Sequence, residues 1–126
     1  MKKLRVLFAS LAVATLLVGA FAFIPKKTDV VTYYFTAPHK HIGSGTNQLV
    51  QSEVQDPSNW TLTNPGYTFS NDVFMAAIVF DQDALSKQNA IEGVWSSYST
   101  SLTLPADNQN IQVSSNDVTI RRKDSN

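Results

Sequence analysis

Two histidines stand one residue apart in His39-Lys40-His41. In an extended segment alternate side chains share a side, so both imidazoles could approach one metal ion. A metal centre needs three or four converging ligands, and the nearest carboxylates are Asp29, Glu53 and Asp56. His39 and His41 are therefore metal candidates only if one of these folds back onto them. The expected alternative is a pair of solvated loop histidines beside Gly43-Ser44-Gly45.

Other chemistries find less support. Asp81, Asp83 and Glu92 fall at the first, third and twelfth positions of a calcium loop. Ser86 then stands where the sharp turn requires glycine, with Lys87 beside it, so the match is rejected. The two aspartates are instead expected to cap a following helix. Ser44 lacks the Gly-x-Ser-x-Gly frame and the strand-to-helix setting of an exposed nucleophile. No glycine-rich phosphate motif occurs and no cofactor is expected. Tyr33, Tyr34, Phe35, Trp60, Trp95 and Tyr98 are rings for either a stacking platform or a small core, and a domain of this size favours the core. Asn59-Trp60-Thr61 fits the glycosylation triplet, but the Met-Lys-Lys start has a bacterial look, so the triplet is assigned to chance.

The elements that position these residues begin after a leader. Lys2, Lys3 and Arg5 precede an apolar run from Val6 to Ile24, interrupted only by Ser10, Thr15 and Gly19. This is the charged and apolar layout of an export signal. Ala20 and Ala22 provide the small-x-small pattern for cleavage after residue 22. The competing reading is a retained anchor over residues 6–24, because such a run spans about 28 Å as a helix, close to the bilayer core. In both cases the body lies outside the cytoplasm, in the periplasm or beyond the cell.

The whole chain has 126 residues, no cysteine, and ten charges of each sign. One domain plus a leader fits that length. Disulfides, thiolate metal sites and cysteine nucleophiles are excluded, and so is a strongly basic nucleic-acid binder. After cleavage seven cations would face ten acids, a mildly acidic body.

Periodicity in that body favours strands. Val30 to Thr36 is β-branched and aromatic and stops at Pro38. Gln48 to Val54 reads as a weak edge strand, and Trp60 and Leu62 suggest a short extended piece between Asp-Pro and Asn-Pro-Gly turns. Val73 to Phe80 has no polar side chain, as a buried central strand requires. Asp81 to Glu92 predicts a short helix with Gly93 as its stop. Tyr98, Thr100, Leu102 and Leu104 alternate with hydroxyl residues and predict another strand, ended by Pro105. Ile111 and Val113, then Val118 and Ile120, flank a polar turn and predict a hairpin. Residues 121–126 read as a charged, solvated tail.

The expected architecture is a leader over 1–22 and a small, mainly β antiparallel domain over 23–120 with one short helix. The Lys-rich start, apolar leader, Val-Thr-Tyr-Tyr-Phe-Thr strand, Gly-Ser turn and Asp-Pro-Ser-Asn-Trp-Thr resemble short exported bacterial proteins grouped in families of unknown function. That resemblance covers about half the chain and implies export, with no activity or site. Such proteins often carry cysteine pairs after the tryptophan segment, which this chain lacks. The expected role is a non-catalytic module that binds a protein or another envelope component, touching the membrane only through an uncleaved leader. The alternative is a small metal-binding or hydrolytic protein centred on His39 and His41.

Overall fold

The computed structural model describes residues 28–124. The leader, with Ala20 and Ala22 and the 1–22 and 6–24 boundaries, lies outside the described residues. The body is mainly β. Its strands are β1 (Val30–Phe35), β2 (Trp60–Thr61), β3 (Phe69–Asp81), β4 (Gln109–Val113) and β5 (Asn116–Lys123). They form one five-stranded sheet in the order β2-β1-β3-β5-β4, and every neighbouring pair is antiparallel. The one-turn helix α1 (Gln51–Val54) and a 3-10 turn (Pro57–Asn59) lie between β1 and β2, and helix α2 (Lys87–Ser101) joins β3 to β4.

The apolar run of Val73 to Phe80 is the centre of β3, with Met75 to Ile78 fully buried, as its composition requires. The strand starts earlier than expected, at Phe69, because irregular pairing with β5 between Phe69 and Phe74 lets polar residues pass through without entering the core. Register then sorts the sheet into two faces. Tyr33, Ile78 and Ile120 lie side by side on one, and Tyr34, Ala77 and Arg121 on the other. The first face packs under α2, whose buried stripe is Ala90, Ile91, Val94 and Tyr98.

The helix is where sequence and structure part most. Ser86 caps it, its Oγ accepting the Asn89 amide at 3.2 Å, and Asp81 and Asp83 do not. Asp81 instead ties the start of β1 to the end of β3 by accepting the amides of Asp29 and Asp83, each at 3.0 Å. Gly93 does not stop the helix. It lies in the middle, where Val113 of β4 crosses close by. The strand expected over Tyr98 to Leu104 is the last turn of α2 and the segment leaving it. Residues two apart include residues four apart, so Val94, Tyr98 and Leu102 satisfied a helical stripe as well as an alternating one. Leu102 closes the helix with left-handed backbone, φ 56°.

Two further expectations are corrected. Gln48 to Val54 is no edge strand: Gln48 makes a single bridge to His41, and the chain then coils into α1 so that Leu49 and Val54 both reach the core. Arg121, Arg122 and Lys123 are no solvated tail. They complete β5, where Lys123 is only 3% exposed. The hairpin is as expected, with a tighter turn of two residues, Ser114 and Ser115, both at positive φ (50° and 67°). That is the backbone hand matching twisted strands.

Candidate functional site

His39 and His41 follow β1 on a loop that Pro38 keeps from extending the strand. Glu53 of α1 folds back onto His39 from both sides. Its Oε2 accepts the His39 amide at 3.1 Å and its Oε1 lies 2.8 Å from His39 Nδ1. The contact becomes an ion pair when the imidazole is protonated. Lys40 Nζ donates to the Ala37 carbonyl. Burial lowers the Lys40 pKa, the charge of Lys123 lowers it further, and Glu53 acts against both.

His41 is held differently. Its backbone bridges Gln48 on one side and Phe74 on the other, and its ring stands edge-on to Phe74 with centroids 5.5 Å apart. His41 Nδ1 is buried without a hydrogen-bond partner. The structure therefore brings Glu53 to His39 but does not bring His41 to either. Among the described residues no three His, Asp or Glu side chains gather as a metal-binding group. Ser44 is exposed at the tip of a turn in which Gly43 and Gly45 have φ of 125° and 130°. This is not a nucleophile elbow, and the Gly43 carbonyl is occupied by the Tyr98 hydroxyl at 3.0 Å.

The sheet face turned away from α2 carries a second constellation. Tyr34 stacks parallel to Phe69 at 6.2 Å and meets Tyr67 at 6.5 Å. The Arg121 guanidinium lies 3.8 Å from the Phe69 ring centre. Asp107 fixes it through Nε at 3.0 Å and Nη2 at 3.3 Å, a bidentate grip. Burial raises the Asp107 pKa, but hydrogen bonds from Arg121 and the Arg122 amide, the Arg121 charge and the Asn108 amide together hold it below the usual range. Tyr67 is anchored in turn by its hydroxyl, which donates to the Phe35 carbonyl at 2.7 Å. The result is a strip of rings and a cation held in fixed orientation, with Tyr34, Tyr67, Phe69 and Arg121 all partly exposed.

Beside this strip, at one end of the sheet, is a cleft of about 350 Å³ lined by Val79, Asp81, Asn110, Asn116, Asp117 and Thr119, among others. Its polar groups already have partners: Thr119 Oγ1 donates to Asn110 Oδ1 at 2.7 Å, Asp117 accepts from the neighbouring Gln112, and Asn116 donates to the Ser114 carbonyl at 3.0 Å.

Most of the six rings singled out in the sequence serve the core, as a domain of this size favours, and the sheet divides the rest. Phe35, Trp60 and Tyr98 are buried in the core and Tyr33 stacks on Phe80 beneath α2. Trp95 packs against Tyr98, and only Tyr34 faces the open side. Sequence reasoning missed Tyr67, Phe69, Asp107 and Arg121. The signal for Arg121 was present, because Val118, Ile120 and Arg122 alternate with Thr119, Arg121 and Lys123 without a break. No protein-family model, curated protein or solved structure matches this chain.

Proposed function

We propose that this chain is an exported, non-catalytic, β-rich module that binds a component of the cell envelope through the open face of its sheet. One observation carries the reading: the face left uncovered by α2 holds Tyr34, Phe69 and Arg121 in a rigid row, with Asp107 fixing the guanidinium. Rings and arginine held in place offer contact area without much ordering cost on binding. The charged and apolar leader supports delivery beyond the cytoplasm, to the periplasm or outside. The test is co-sedimentation of the exported protein with isolated cell envelopes. Phe69→Ala and Tyr34→Ala should each reduce the bound fraction several-fold while the circular dichroism is unchanged, and equal binding by both variants rejects the face as the contact. Mass spectrometry of the recovered protein tests delivery, with an N-terminus at Phe23 expected for a cleaved leader.

A second reading rests on the His39 and Glu53 pair. A carboxylate at Nδ1 orients an imidazole and leaves Nε2 for a metal or a proton. Calorimetric titration with zinc tests it: a heat of binding that His39→Gln abolishes would favour a metal-binding role over the module.

A further inference from the structure

The two edges of the sheet are unlike. At one, β2 is only two residues long, too short to template another strand. At the other, β4 pairs with β5 over all five residues without a register shift, and its sequence Gln-Asn-Ile-Gln-Val contains no charge and no proline. The usual guards of an exposed edge are a charged side chain, a proline, a bulge or a very short strand, and β4 has none of them.

The hairpin fixes which groups that edge offers. A two-residue turn makes Val113 and Asn116 the hydrogen-bonded closing pair, so Val113 and Ile111 direct their amides and carbonyls to β5, while at the start of the strand the Asn108 amide donates to the Ile120 carbonyl at 2.8 Å and the Gln109 amide to the Ala106 carbonyl at 3.2 Å. Asn110 and Gln112 direct theirs outward. We propose that the β4 edge pairs antiparallel with β4 of a second copy of this chain, centred on Ile111, so that two five-stranded sheets join into one.

The edge is complementary to itself in that register and in no other to the same extent. Antiparallel pairing about Ile111 overlaps the full strand and sets Asn110 opposite the Gln112 position of the other copy, twice by symmetry. Both outward residues then exchange N–H and C=O groups with their partners. Ile111, partly buried at the margin of the core, meets its own counterpart across the two-fold axis and is covered. Neutral side chains meet neutral side chains, so the mild acidity of the body sets no like charges against each other at the join. The axis is perpendicular to the sheet, which puts both α2 helices on one face. The strip of Tyr34, Phe69 and Arg121 stays open on the other, so pairing neither requires nor blocks the function proposed above.

Sedimentation velocity over a concentration series, on the protein expressed with its own leader, should show a reversible monomer and dimer. The double variant Asn110→Lys, Gln112→Lys places lysine opposite lysine in this register and should weaken the dimer by about tenfold or more, with unchanged circular dichroism. The double variant Asn110→Glu, Gln112→Glu should do the same, and mixing the two should restore a dimer containing one of each. A wild-type protein that stays monomeric at every concentration overturns the proposal. So does a dimer that persists in both variants, or a mixture that does not recover association.

Discussion

Gly93 of α2 faces Val113 of β4 so closely that a Cβ at position 93 would stand 2.4 Å from Val113 Cγ2 and 2.5 Å from Cγ1. The helix interior keeps a residue that weakens it by about 1 kcal/mol because the sheet leaves no room for any other. Gly93→Ala should therefore destabilise the protein by about 1–3 kcal/mol despite its better helix propensity. Val113→Ala introduced with it should recover part of that loss, and urea unfolding of the two single variants and the double variant measures the coupling.

Asp107 gives the fold an acid-sensitive joint. Its carboxyl takes both Arg121 nitrogens and the Arg122 amide and titrates below the usual carboxylate range. A depressed pKa in the folded state means that the unfolded chain takes up the proton first as pH falls. The stabilisation is thus complete above the unfolded value of about 4 and is lost as pH drops through the folded one. Asp107→Asn should cost about 1–3 kcal/mol at neutral pH, and its gap to the wild type should close between about pH 4 and the acid limit. Thermal melts across that range decide it.

The Ser114-Ser115 turn holds two ordinary residues in left-handed backbone. Such a conformation costs a residue with a Cβ about 1–2 kcal/mol and glycine almost nothing. Ser115→Gly should raise the stability by about 1 kcal/mol, read as a higher melting temperature.

Trp60 anchors α1 as well as filling the core. Its indole N–H donates to the Val54 carbonyl at 2.8 Å, while its ring lies 4.7 Å from that of Phe35. Trp60→Phe leaves the last carbonyl of α1 unpaired and should cost about 1–3 kcal/mol. Native fluorescence would then come from the partly exposed Trp95 alone and shift to longer wavelength.

What could be read from the sequence was set by how one-sided each segment's burial is. The β1 run, the apolar centre of β3 and the β4-β5 hairpin all showed strand periods, and all are strands. The helix was displaced because its buried stripe is sparse and the outer surface of its second half is Ser and Thr, residues that favour strands and turns when tertiary contacts are unknown. Arg121 to Lys123 looked like a tail because charge is read locally as solvation, whereas aromatic neighbours from distant segments shelter these cations. Of the candidate histidines, the pairing of His39 with Glu53 was foreseeable only as one choice among three carboxylates. The open-face strip was largely invisible, since Asp107 and Phe69 reach Arg121 through the fold and not through spacing.

The sheet order has a consequence for assembly. β5 is last among these elements along the chain, yet it sits inside the sheet, between β3 and β4. While a nascent polypeptide still lacks it, the long central strand has one flank bare and the arginine clasp has no guanidinium. Closure of the native architecture therefore waits until β5 has been made, and before that the emerging polypeptide is a pliable thread and not a finished globule.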